Sequence, residues 1–136
     1  MTQEILNLDS ADWGAGMTKD DYSVIVYKIL AYLYACLRKG KTPDPADYSC
    51  NSELFQIPQS YWESIMEELI NEGYIKGAYA LNALGQARPV IRVDSSTSIT
   101  MKGAEYLDHN SVMQRIKEFL GAGFQTVLAN VIGSLV

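Results

Sequence analysis

Ile99-Thr100-Met101-Lys102-Gly103-Ala104-Glu105-Tyr106-Leu107 is the stretch whose reading decides the fold. Thr100 reads as an N-cap opening a helix that runs to about His109. Working backwards, Asp94-Ser95-Ser96-Thr97-Ser98 is a polar loop, and Pro89-Val90-Ile91-Arg92-Val93 reads as a strand with proline at its tolerated first position. The pattern weakens over residues 78–88, where Tyr79, Leu81 and Leu84 are apolar and Asn82 and Gly85 are turn residues. Glu72-Gly73-Tyr74-Ile75-Lys76-Gly77 is a tight helix exit: Gly73 takes the C′ position, and Tyr74 and Ile75 start a strand. Before it, Trp62, Ile65, Met66, Leu69 and Ile70 recur at i, i+3, i+4, i+7 and i+8, a single buried helical stripe. Helix, hairpin and capped helix in this order are the layout of a winged helix-turn-helix. The expected fold is α+β, a three-helix core with a β-hairpin wing and additional C-terminal helices.

Toward the N-terminus, Asn51 or Ser52 is expected to cap a short helix through about Ile57, with Pro58 punctuating the turn. Pro43 and Pro45 place residues 41–49 in a loop. The first helix is expected to start at Thr18 as N-cap, with Asp20 and Asp21 in its first turn. Val24, Ile25, Val26, Tyr27, Ile29, Leu30, Leu33, Tyr34 and Leu37 surround this helix rather than forming one stripe, so it needs protein on more than one side. Arg38, Lys39 and Gly40 close it. Residues 1–17 are polar, with Ile5, Leu6, Leu8 and Trp13 scattered among them, and read as a tail that is partly ordered at most.

Toward the C-terminus, Asn110 or Ser111 caps a helix carrying Val112, Met113, Ile116, Phe119 and Leu120, and Gly121 and Gly123 break or loosen it. No charge occurs from Phe119 onward. Phe124, Val127, Leu128, Val131, Ile132 and Leu135 keep a helical period opposed by Gln125, Thr126, Asn130 and Ser134. The domain reading is a tail over 1–17, a winged-helix domain over 18–120, and an apolar helix over 121–136 that serves packing or dimerisation.

With 136 residues, 48% of them hydrophobic, the chain has the material for one domain with a usable core. The formal net charge of −5 weighs against nonspecific attraction to phosphate or anionic lipid. Cys36 and Cys50 are the only cysteines and stand in no CxxC, which reads as two small apolar residues in a reducing cytosol rather than a disulfide or metal site. The start carries no basic and apolar leader, and no stretch is long and apolar enough for a membrane span, so a cytoplasmic chain is expected.

Three segments make the chain resemble the YjcQ family, small winged-helix proteins of Gram-positive bacteria and their prophages. They are Asp21-Tyr22-Ser23-Val24-Ile25-Val26-Tyr27-Lys28-Ile29-Leu30, then Glu72-Gly73-Tyr74-Ile75-Lys76-Gly77, and most specifically Ile99 through Leu107 continued by Asp108-His109-Asn110-Ser111. The resemblance covers roughly residues 17–120. It implies a fold similar to DNA-binding regulators and leaves the biochemical role unassigned.

In a helix-turn-helix, the start of the second motif helix reaches base edges. The candidates here are Gln59, Ser60, Tyr61, Glu63 and Ser64, with Lys76, Arg88 and Arg92 on the wing. The same helix holds Glu63, Glu67, Glu68 and Glu72 and no cation, which a phosphate backbone repels. The nucleic-acid site is therefore Gln59, Ser60, Tyr61, Ser64, Lys76, Arg88 and Arg92, leaning on the helix start and wing. Arg38, Lys39 and Lys41 complement a helix end. His109 is the sole histidine and reads as exposed at a helix end. No phosphate-cradling loop or nucleophile constellation appears, so a non-enzymatic chain without cofactor, metal or small-molecule ligand is expected. Two functions follow: a small DNA-binding transcriptional regulator, or an acidic protein-interaction module that kept the fold and lost DNA. The two apolar terminal helices pack together within one chain or pair across a two-fold axis; a homodimer is the expectation, with double-stranded DNA as candidate partner and no membrane.

Overall fold

The computed structural model describes residues 17–82, 84–85 and 87–135. Of the expected tail over 1–17, residues 1–16 lie outside the described residues, and Met17, its last residue, is buried in the core. Among the described residues, four α-helices and short antiparallel strands give an α+β fold.

Helix α1 spans Tyr22–Lys39 and is buried on every side from Val24 to Leu33. Its start differs from the expectation. The Asp21 carboxylate turns back to accept from the Thr18 N–H at 3.0 Å and the Thr18 hydroxyl at 2.7 Å, so residues 18–21 form a turn and the helix begins one residue after Asp21. Its end is as expected: Arg38 and Lys39 fill the last turn, and Gly40 closes it.

No helix forms over 52–57. A 3-10 turn at Pro45–Tyr48 is followed by a tight reversal in which Asn51 bridges Gln56 and Ile57 N–H donates to Cys50 O at 2.8 Å. The Ser52 hydroxyl accepts from both Leu54 N–H and Phe55 N–H. An N-cap serine makes the same kind of side-chain-to-backbone bond, so the local signal was real but closes a turn instead. Burial of both Leu54 and Phe55 fixes that choice. The three-helix core of the expected motif thus has a turn in place of its middle helix.

Helix α2, Gln59–Asn71, buries Trp62, Ile65, Met66 and Leu69, and the Trp62 Nε1–H donates to Tyr48 O at 2.8 Å. Strands β1 (Ile75–Lys76), β2 (Tyr79–Leu81), β3 (Val90–Arg92) and β4 (Ser98–Ile99) then form one interrupted hairpin, β1 pairing β4 and β2 pairing β3. Ile75 faces Ile99, but Tyr79, four residues on, faces Arg92, seven residues back. The surplus on the second strand loops out around a buried Thr97, whose hydroxyl donates to Gly77 O at 2.8 Å.

Helix α3, Met101–His109, opens on the expected cap: Thr100 Oγ1 accepts from Gly103 N–H at 3.0 Å. That hydroxyl also donates to Gly73 O at 2.6 Å, and Thr100 N–H donates to Tyr74 O at 3.0 Å, which clasps α3 to the exit of α2. Helix α4, Ser111–Gly133, is capped by Asn110 and kinks at Gly121, whose φ of 65° only glycine adopts without strain. Beyond the kink, Phe124, Leu128, Val131 and Ile132 are buried against α1 in the same core. Val127, assigned to the apolar face from periodicity, is exposed, because it lies off the arc that meets α1. The stripe that could have crossed a two-fold axis packs within its own chain.

One polar defect gives a testable consequence. Tyr48 is fully buried and, although Thr97 lies beside it, its hydroxyl has no well-formed hydrogen bond among the described residues. Burial pushes its pKa up to about 12. A tyrosine raised above its ordinary value of 10.0 stays neutral in the folded chain while the unfolded chain ionises, so its contribution is complete below pH 10 and is lost as pH rises from about 10 to about 12. Tyr48→Phe removes the unpaired hydroxyl. The expected result in urea titrations is a gain of about 1 kcal/mol at neutral pH and a shallower loss above pH 10; a destabilised variant with an unchanged alkaline limb would contradict it.

Candidate nucleic-acid interface

The seven candidate residues occupy one helix, two strands and a connection, and the fold brings only some of them together. Gln59, Ser60, Tyr61 and Ser64 stand on the first turns of α2, Lys76 on β1, Arg92 on β3, and Arg88 in the connection between β2 and β3.

Arg88 folds back onto α2. Its Nε donates to Glu63 Oε1 at 2.7 Å, while the Gln59 amide donates to Glu63 Oε2 at 3.1 Å. The Gln59 bond and the Arg88 guanidinium hold the Glu63 carboxyl below its usual range, against the opposing effect of partial burial. The Gln59 carbonyl in turn accepts from Cys50 Sγ at 2.9 Å. Both ends of the Gln59 amide are therefore engaged. Tyr61 is half-buried: its hydroxyl donates to Asp20 O at 2.8 Å, and its ring lies 6.2 Å from that of Tyr22. Ser60 and Ser64 are exposed beside Arg88 over a cleft of about 190 Å³ that Glu63 and Glu67 also line. A phosphate there meets two carboxylates for one arginine already paired.

Lys76 and Arg92 do not join this group. Along β2 and β3 the half-buried Ala80 and Ile91 share one face, and the exposed Tyr79, Leu81, Val90 and Arg92 share the other. Arg92 thus points away from the face that packs toward α2, and Lys76 sits further along, exposed beside Ser98. Neither makes an ion pair among the described residues.

The outer face of the hairpin was not singled out from sequence. Tyr79 is 60% exposed and Leu81 48%, with Val90 across from Leu81, and in the connection that follows Leu84 is completely exposed. The alternation of Tyr79 and Leu81 around Ala80 was the available signal. It says that one face is apolar without saying whether that face is covered.

A family model described as YjcQ protein matches residues 27–121. The chain belongs to the YjcQ family. The match takes in α1 from Tyr27, the whole hairpin and α3, and ends at the Gly121 kink, so the segment that covers α1 lies beyond it. No curated protein and no solved structure matches the chain. Among the described residues of this YjcQ-family chain, no helix is long and apolar enough to cross a membrane.

Proposed function

We propose that this YjcQ-family chain is an acidic winged-helix interaction module whose wing docks onto another protein. The observation that carries the reading is the outer hairpin face, where Tyr79, Leu81 and Val90 stand exposed beside one cation, Arg92, with Leu84 fully exposed in the connection that follows. Contiguous exposed apolar side chains of this size mark interaction surfaces in soluble domains. The motif helix supports the same reading. Its cation-free surface carries Glu67, Glu68 and Glu72, and Gln59, Tyr61 and Arg88 are held by bonds within the chain. The module is non-catalytic in this reading, with His109 exposed at the end of α3.

A second reading, a small DNA-binding transcriptional regulator, is favoured by the unpaired Lys76 and Arg92. Two cations release counterions from about two phosphates, which gives a logarithmic salt slope of about −2 and weak affinity. Titration against mixed-sequence duplex at low and moderate salt separates the two. The expected result is no binding at either. Binding at low salt that disappears in Lys76→Ala/Arg92→Ala would replace the interaction reading with the DNA one.

A further inference from the structure

We propose that the groove between α1 and the segment of α4 after its kink binds an amphiphilic anion, an apolar chain ending in one carboxylate or phosphate group. Two adjoining cavities of about 150 and 340 Å³ run along this groove and share Ala35, Arg38, Gln125 and Leu128 as walls. Its floor is apolar: Leu128 and Ile132 are buried, and Ala35 and Ala129 leave the width that larger side chains would close.

The rim is cationic on a chain whose net charge is −5. Arg38 and Lys39 stand exposed on the last turn of α1, and Lys117 stands exposed on α4. None of the three makes an ion pair among the described residues. The Arg38 guanidinium lies 5.4 Å from the centre of the Tyr34 ring, which also lines the groove and holds the charge at its edge. Among the described residues that line the two cavities, Asp108 is the one carboxylate, with Lys117 on the smaller cavity, Lys39 on the larger and Arg38 on both. The nearby Lys41 belongs to a different contact, donating to Leu135 O at 3.1 Å.

A helix end explains Arg38 and Lys39, which complement the carbonyl end of α1. Lys117 stands on a different element, in the last turn of α4 before the Gly121 kink, where a carbonyl end also favours a cation. What the three share is the groove. Small-molecule sites are concave and set a few placed polar groups against apolar wall, with volumes from about 300 Å³ upward; the larger cavity reaches that size with Leu128, Ala129 and Ile132 as its apolar wall, and Asp108, Gln114 and Lys117 make the smaller one its polar end. A membrane surface is a poorer occupant, because interfacial helices present cations along their polar face and residues 122–133 of α4 carry none.

The test uses the full chain with decanoate as the probe, decyl phosphate to vary the head and decanol as the uncharged control, each below its micelle threshold. Calorimetry is expected to show saturable one-site binding of decanoate and decyl phosphate, with decanol weaker by about tenfold or more. Arg38→Gln/Lys39→Gln/Lys117→Gln is expected to weaken decanoate by about tenfold or more. Ala129→Leu, at an exposed position, is expected to abolish binding with every charge and the thermal melt intact. Preference between the two heads assigns a carboxylate or a phosphate ligand. Decanol binding as tightly as decanoate, either variant binding like the parent, or no saturable binding at all would overturn the site.

Discussion

A chain ended after Leu120 is expected to lose its cooperative fold. The segment removed buries Phe124, Leu128, Val131 and Ile132 against α1, and all four belong to the single core. At about 1.5–3 kcal/mol for each large apolar side chain taken out of water, they contribute about 6–12 kcal/mol. That is comparable with the whole stability of a domain this size, about 5–15 kcal/mol. Their loss also uncovers α1. Tyr27, whose ring centre lies 6.0 Å from that of Phe124, would face water, and so would the buried Lys28, whose Nζ lies 5.7 Å from the Phe124 ring centre and donates to Leu54 O at 3.2 Å. Circular dichroism through a urea titration checks this. The truncated chain should show a broad, low-amplitude transition and bind an apolar dye at neutral pH. A sharp transition near the full-length midpoint would mean that α1 is covered some other way.

Gly103→Ala is expected to destabilise the chain by about 3 kcal/mol, at the upper end of what overpacking costs. Gly103 lies in the first turn of α3, where its ordinary helical backbone tolerates alanine. The obstacle is space: a Cβ at this position would collide with the carbonyl oxygen of Tyr74 and press on the Ile99 side chain. Backbone cannot step aside as a flexible side chain does. The Tyr74 carbonyl is moreover fixed in place, since it accepts the Thr100 N–H at 3.0 Å. Relief therefore has to separate α3 from the exit of α2, breaking the Thr100 contact with Gly73 O and the stack of Tyr74 on Tyr106, whose ring centres lie 4.5 Å apart. The urea midpoint should fall and the melting temperature drop by many degrees. Gly123→Ala, where an added Cβ meets nothing, is the matched control and should be neutral or slightly stabilising. Equal behaviour of the two variants would sink the argument.

Legibility divides by the range of the interaction involved. Thr100, Asn110, Gly73 and the Trp62 stripe were readable because each signal is local, made by a side chain and backbone within a few residues. Ser52 shows the limit of that reading. Its hydroxyl satisfies the N–H groups that follow whether the chain enters a helix or turns back, and burial of Leu54 and Phe55 decides between them. Thr18 fails for a related reason: Asp21, a better acceptor three residues on, takes the donors of Thr18 itself.

The candidate site was less legible than the fold. Gln59, Tyr61 and Arg88 have side chains suited to reading DNA, and their residue types say nothing of prior engagement. Arg88 meets Glu63 across 25 residues of chain, and Tyr61 meets Asp20 across 41. The Thr100 and Asn110 caps, the Trp62 stripe, the acidic character of α2 and the YjcQ resemblance were determined by the sequence alone, because composition and contacts of a few residues are written along the chain. Tertiary structure alone decided that Arg88 is paired, that Arg92 lies on the far face of the hairpin, that Tyr79, Leu81 and Leu84 are uncovered, and that the uncharged C-terminal segment closes over α1. Each of those depends on which distant surfaces meet, and apolar burial and ion pairing act on whatever the fold brings within a few ångströms, however far apart it lies in sequence.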